Sequence, residues 1–339
     1  MEDIKVLVVD DSSFARSLIC ETLSSDPHIK VVGEAKNGRS AVELSSVLKP
    51  DLITMDLTMP DMDGLEAIRL IMHRLPTPIL VITSKADAQS GFAAIAAGAL
   101  EVFDKANIAN SGYDSLLYKV RFLAKVRVIR HLQNNKVAPM QGTSLPACSS
   151  VDVVGIASST GGPKALSLLL SSLPSSFDRP IFIAQHIGKQ FDQGLATFLQ
   201  RTTKKNVVLA EAGMKISRAV IYIAPAGSHL IIQDTTIVLS SRKPQDMYVP
   251  SANNLFASLA KEFRSRAVAI VLTGMGDDGA EGASQIALQG GVVIAQDEQT
   301  SAVFGMPKAV IDRNIAHKVL PLDKIGPALV ALACKERQR

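Results

Sequence analysis

The chain lacks the marks of several large protein classes. Its three cysteines, Cys20, Cys148 and Cys334, are odd in number, and no pair has CxxC spacing. This argues against a disulfide framework or a cysteine zinc site and fits a reducing, cytoplasmic setting. No apolar run reaches the ~18 residues expected of a membrane span. The opening MEDIKVLVVDD reads as a strand followed by acids, not as a cleaved leader. There is no internal repeat and no low-complexity block. After residue 126 there is no helix-turn-helix signal and no basic recognition helix, which argues against DNA readout.

What is present supports two packed domains. The chain has 339 residues, 47% of them apolar, enough for real cores. Its net charge of +4 hides an asymmetry. Residues 1–125 carry 13 basic and 17 acidic side chains, and residues 126–339 carry 23 and 15. Opposite signs favour docking of the halves or steering toward an acidic partner, although ordinary solvated surface has the same composition.

In the first half, apolar strands at 4–9, 31–35, 51–55, 79–83 and 100–103 alternate with helical stretches, and a helix closes the series near 113–132. Such alternation predicts a doubly wound parallel sheet. The runs IKVLVVDD, DLITMD, PILVITS and LEVFDK end in Asp10 and Asp11, Asp56, Thr83 and Lys105. Strand carboxyl ends converge on one crevice in such a sheet. Three carboxylates crowded there need a cation, and hard oxygen donors suit Mg²⁺. Asp56 at a strand end is placed to attack a phosphoryl group, Lys105 to pair with the phosphate and Thr83 to turn its hydroxyl toward it. A lone Asp in this setting more often caps a turn. Five suitable groups at four strand ends make a switch the better reading.

With VVDDS, MDLTMPDMDG, ITS and the DK at 104–105, residues 1–125 resemble a response-regulator receiver domain, a flavodoxin-like fold. The resemblance implies phosphorylation of Asp56 by a histidine kinase, with Mg²⁺ held by Asp10, Asp11 and Asp56. Phe103 occupies the place of the family's aromatic switch residue. Ala106 stands where the family usually has Pro.

Residues 126–150 read as a polar linker with Pro and Gly, and a second α/β domain follows at 151–339. Its strands are expected at 151–158, 180–186, 206–212, 219–225, 229–234, 236–241, 267–275 and 290–298, with helices at 163–173, 189–200, 252–264 and 279–289. The close spacing of 229–234 and 236–241 predicts an antiparallel hairpin at the edge of a mostly parallel sheet.

In VDVVGIASSTGGPKALSLLLSSL a strand enters a Ser/Thr/Gly turn, and a helix opens at Pro163. Leu166, Leu169, Leu170 and Leu173 give that helix one apolar stripe. Ser158 or Ser159 fits a nucleophile beside the free N–H groups of a helix start. The same residues fit an N-cap, and the Gly161-Gly162 pair fits a phosphate turn. Among the histidines of this half, His186 ends a strand facing the same crevice. His229 opens a hairpin strand and reads as structural, and His317 has no nearby acid pattern. The turn in AVAIVLTGMGDDGAEGA presents Asp277 and Asp278 to orient a histidine base. Gly274 to Gly279 also match GxGxxG, which suggests dinucleotide binding. Two acids inside the turn and its late position oppose that reading.

Through GIASSTGGPKAL, IAQH, YIAPAGSHL, VLTGMGDDGAEG and IAQDEQTSAVFGMPKAV, residues 151–330 resemble the catalytic domain of chemotaxis protein-glutamate methylesterases, the CheB family. The resemblance implies a Ser-His-Asp hydrolase with Ser159, His186 and Asp278, and with Thr160 and the Met275 backbone at the oxyanion or substrate. It further implies that phosphorylation of the receiver activates hydrolysis of glutamyl methyl esters, and deamidation of glutamines, on chemoreceptors. A receiver coupled to a non-catalytic hydrolase-like adaptor is the alternative. No cofactor is implied in the catalytic domain, and neither nucleic acid nor membrane insertion is expected. Ala157 stands where the family has Gly. Tyr248, Val249 and Asn253 replace its His, Arg and Asp in the segment MYVPSANNLF.

Overall fold

Short apolar runs that end in an acid, a hydroxyl or an amide become strands whose last residues project into a crevice. The computed structural model describes residues 3–84, 88–109, 115–126, 151–188 and 191–334. Contacts divide the chain into two compact units, Met1–Lys136 and Val137–Arg339. From residue 127 onward the expected linker lies outside the described residues, as do Cys148, the end of the closing helix and positions 189–190 of the 189–200 helix.

The first unit runs β1 (Ile4–Val9), α1 (Ser13–Ser24), β2 (Ile29–Ala35), α2 (Gly38–Leu48), β3 (Leu52–Met55), α3 (Gly64–Arg74), β4 (Ile79–Thr83), α4 (Ala88–Ala97), β5 (Glu101–Asp104) and α5 (Leu116–Leu123). Its sheet is parallel in the order β2-β1-β3-β4-β5. That is the doubly wound order in which β1 and β3 flank the switch point. Val9 registers with Met55, so Asp10 and Asp56 leave the sheet side by side. The β1, β3 and β4 strands are buried almost throughout, as expected where helices cover both faces.

The second unit runs β6 (Val153–Ser158), α6 (Gly162–Ser172), β7 (Ile181–Gln185), α7 (Asp192–Thr203), β8 (Asn206–Leu209), β9 (Val220–Ile223), β10 (Ser228–Gln233), β11 (Thr236–Ser241), α8 (Ala252–Phe263), β12 (Ala267–Val271), α9 (Ala280–Leu288), β13 (Val292–Gln296), α10 (Met306–Asp312), β14 (Lys318–Leu320) and α11 (Leu322–Cys334). Seven parallel strands lie in the order β14-β13-β12-β6-β7-β9-β8. The chain leaves β6 toward β7 on one side and returns through β12 on the other, so the switch point lies between β6 and β12.

The hairpin forms as expected, with Gln233 opposite Thr236 across a turn in which Asp234 and Thr235 have φ of 48° and 57°. It is a separate two-stranded sheet and not an edge of the main one. The reason is local. β8 pairs with the outer side of β9, while Leu230, Ile232 and Ile237 are buried with Leu255 and Leu259 of α8. The Ile232 amide also donates to Ser258 Oγ at 3.1 Å.

Candidate phosphoacceptor and active site

Asp56 follows β3 and is buried. Its Oδ1 accepts from the Leu57 amide at 2.8 Å, and its Oδ2 accepts from Lys105 Nζ at 2.8 Å. Lys105 Nζ also lies 2.8 Å from Asp10 Oδ2. Burial pushes the Asp56 carboxyl above its ordinary value, against the opposing pull of Lys105. Burial works against the Lys105 charge, yet its two carboxylate partners raise its pKa overall. One ammonium thus serves two buried acids. Asp10, Asp11 and Asp56 each offer a carboxylate oxygen, all within 4.8 Å of one another. This donor set fits a hard divalent cation such as Mg²⁺. Thr83 ends β4, and among the described residues its buried Oγ1 has no hydrogen-bond partner, an unusual condition for an enclosed hydroxyl and one that suits an arriving acceptor. Phe103 is buried in β5.

In the second unit, β6, β7 and β12 carry three groups to one crevice. Ser159 follows β6, and its amide donates to the Thr273 carbonyl beyond β12 at 3.0 Å. His186 follows β7, and its amide donates to the Ser158 carbonyl at 3.0 Å. The His186 imidazole lies 2.8 Å, at Nε2, from Asp278 Oδ2. The side chains are 15% and 1% exposed, so little water competes for this bond. With Nε2 facing the acid, Nδ1 is the nitrogen left for proton transfer. Among the described residues no hydrogen bond joins Ser159 Oγ to His186. Such bonds are commonly completed only when substrate is bound.

The surroundings of Asp278 explain why it, and not Asp277, carries the buried charge. Asp278 sits at the start of α8, where Ser251 Oγ donates to Oδ1 at 3.0 Å, the Ala252 amide to Oδ2 at 2.7 Å and the Asn253 amide to Oδ1 at 3.0 Å. A carboxylate at a helix N-terminus meets free amides and the positive end of the helix dipole. Burial raises the Asp278 pKa, but His186 and these amides outweigh it and hold the acid below its ordinary value. Asp277 is exposed and pairs with Arg313 at 3.0 Å.

The glycines of GMGDDG serve packing inside the protein. Gly274 lies against Ser159 and Met306, with room for no side chain, and Gly276 faces Tyr248. Those contacts, with Asp278 turned toward α8, remove the pyrophosphate reading of the turn.

Ser158 is buried and gives its hydroxyl to Gln185 Oε1 at 2.7 Å, leaving Ser159 as the serine facing the crevice. α6 follows Gly161, φ 76°, which supplies no side-chain cap; the Gly162 amide donates to the Ser159 carbonyl at 2.8 Å and closes the turn. Thr160 is buried in that turn, and its carbonyl accepts from Thr273 Oγ1 at 2.9 Å. Met275 is half-buried in the facing turn. His229, bonded to Asp246 and to the Ser251 amide, and His317, accepting from the Val293 amide, are structural.

Several residues of the site were not foreseen. Gln185 Nε2 donates to the carbonyls of both Ser159 and His186 at 2.9 Å, tying the two turns together. Asn253 Oδ1 accepts from the Gly279 and Gly282 amides at 3.0 and 2.9 Å, capping α9 from outside. Ser251 both caps α8 and holds Asp278. Gln185 had a signal in its position directly before His186. Asn253 had its departure from the family pattern as a signal, and Ser251 had only its place at a helix start.

Comparisons with known proteins agree with this architecture. The family model for the CheB methylesterase matches residues 154–329, and that for the response regulator receiver domain matches residues 6–112. Protein-glutamate methylesterase/protein-glutamine glutaminase 2 of Anaeromyxobacter dehalogenans is 40% identical over 329 residues, covering 96% of each chain. The corresponding Thermotoga maritima protein is 37% identical, over 97% of this chain and 98% of its own. The crystal structure of the Thermotoga maritima CheB methylesterase catalytic domain superposes with a TM-score of 0.52 at 37% identity, covering 54% of this chain and 99% of that one. The chain belongs to the CheB family of protein-glutamate methylesterases/protein-glutamine glutaminases, with a response-regulator receiver domain ahead of the methylesterase domain.

Proposed function

We propose that this protein hydrolyses glutamyl methyl esters, and deamidates glutamines, on chemoreceptors, and that phosphorylation of Asp56 by a histidine kinase raises that activity. The observation that carries the reading is the buried His186–Asp278 pair beside the Ser159 turn. Ser159 Oγ attacks the ester carbonyl while His186 takes its proton. The methoxy group leaves as methanol with that proton. Water then adds, again through His186, and releases the glutamate carboxylate. Asp278 holds the ring and stabilises the imidazolium without taking the proton. Thr160 and the Met275 backbone face the developing oxyanion or the substrate.

In the receiver, residues 1–125, Asp10, Asp11 and Asp56 would hold Mg²⁺, which supplies charge neutralisation for the incoming phosphoryl group. The Asp56 carboxylate forms the new P–O bond as the donor histidine's P–N bond breaks. Lys105 pairs with the phosphate, and Thr83 turns its free hydroxyl toward it. Buried Phe103 passes the change to the domain surface. The receiver, joined by residues 126–150 to the catalytic domain at 151–339, restrains the active site until phosphorylated. A tenfold activation requires only about 1.4 kcal/mol of differential interaction.

Methanol release from methylated receptor tests the hydrolytic claim. Wild type releases it, and Ser159→Ala falls by about 10⁵-fold or more. Equal rates in the two proteins would overturn the assignment.

A further inference from the structure

His186 has a second neighbour that proton transfer alone does not use. The Tyr248 ring lies face to face on the imidazole, with centroids 4.8 Å apart and planes 3° from parallel. That spacing and tilt match the stacked arrangement favoured by aromatic pairs. The tyrosine is enclosed at its hydroxyl end as well. Gly276, at φ 83°, lies so close that a Cβ there would come within 2.3 Å of Tyr248 Oη. A few residues on, Ser251, Ala252 and Asn253 supply the donors that hold Asp278. One segment, 248–253, thus grips the acid by hydrogen bonds and the imidazole by its face.

The two grips do different things. The bond from Nε2 to Asp278 fixes one edge of the ring but leaves its plane free to swing about that contact. A flat partner on the ring face removes this freedom. The electron-rich face also favours a cation. The stack therefore strengthens when His186 becomes an imidazolium, which happens on the way to the transition state and not in the ground state. An interaction of that kind appears in kcat rather than in KM.

We infer that Tyr248 is a positioning residue of the hydrolytic site, whose ring face sets the plane of His186 and stabilises its imidazolium. This rests on the reading of Ser159, His186 and Asp278 as the hydrolytic set. The aromatic face is the active element, so phenylalanine supplies it, and leucine, of comparable bulk but without a π face, does not.

The test compares Tyr248→Phe, Tyr248→Leu and Tyr248→His in the full chain, with methylated receptor as substrate. Tyr248→Leu is expected to lose about tenfold or more in kcat with KM within about twofold of wild type. Tyr248→Phe restores most of that loss. Tyr248→His, which keeps a planar π ring, is expected to behave like the phenylalanine variant, and Tyr248→Met, which has none, takes the place of the leucine variant if that one fails to fold. A second readout needs no turnover. The His186 ring protons, assigned by their disappearance in His186→Gln, are shifted upfield by ring current in wild type and Tyr248→Phe, and move downfield in Tyr248→Leu. If wild type releases no methanol, the hydrolytic reading fails, and the ring-current comparison still decides whether the stack exists. Equal kcat in the leucine and phenylalanine variants, a loss confined to KM, or unmoved His186 resonances would each overturn the inference.

Discussion

Asp277 and Asp278 are adjacent and chemically identical, and their surroundings assign them opposite tasks. Asp278 accepts bonds from His186, Ser251 and two α8 amides, whereas Asp277 meets Arg313 at the surface. Asp278→Asn should therefore lower kcat by about 10⁴-fold, because an amide no longer selects the correct histidine tautomer. Asp277→Asn should stay within a few-fold of wild type, and the reverse ranking would show that the wrong acid has been assigned. The pH dependence follows from the depressed pKa of Asp278. An acid held below its unfolded value of ~3.9 contributes stability that is complete above that pH and lost as pH falls through the folded pKa. Urea denaturation should show Asp278→Asn less stable than wild type by a constant margin across neutral pH, narrowing only below about pH 4. A margin that changes between pH 6 and 8 would implicate another group. At this scale the sequence was informative where chemistry sits at a strand end. Ser159, His186 and Asp278 each follow or flank such an end, as do Asp10, Asp56 and Lys105. Tyr248 and Asn253 stood out in the sequence only as departures from the family pattern, and Ser251 not at all, because their partners lie 62, 25 and 27 positions away in the chain.

Among the elements, α8 does the most to shape the catalytic crevice. Its apolar face, with Leu255, Phe256 and Leu259, packs against the hairpin and β6, while its N-terminus grips Asp278. Gly155 in β6 makes this approach possible, since a Cβ there would lie 2.7 Å from the Leu259 side chain. Ser251 joins the two roles. Ser251→Ala removes both the helix cap and one bond to the acid, and should cost about 1–2 kcal/mol in urea denaturation. A cost below about 0.3 kcal/mol would mean that neighbouring groups take over both bonds. The long apolar runs of the sheets were legible from the sequence because buried parallel strands leave no polar alternation. The last elements were not foreseen. β14 has three residues, α10 has seven, and α11 carries Gly326 and Pro327 within its span. That glycine and proline read as a break, yet Gly326 is needed where α11 meets Ser172 of α6. The hairpin was correctly placed in sequence but not in space, because nothing local tells β10 and β11 whether their partner is a sheet edge or a helix.

For the whole molecule, two crevices of the same architectural kind carry different chemistry. Each lies at the carboxyl ends of parallel strands, at a switch point in the strand order. The receiver gathers three carboxylates around one lysine, a charge arrangement that a cation and a phosphoryl group resolve. The catalytic unit keeps a single buried carboxylate beside one histidine and one serine. The central claim is that the chemical state of Asp56 governs hydrolysis at Ser159. It is tested most directly by following methanol release from methylated receptor before and after addition of a small-molecule phosphodonor with Mg²⁺, in wild type, Asp56→Asn and Ser159→Ala. The account predicts a rise of about tenfold in wild type, an unstimulated basal rate in Asp56→Asn and no release above background in Ser159→Ala. Stimulation of Asp56→Asn equal to that of wild type, or release by Ser159→Ala at the wild-type rate, would contradict it.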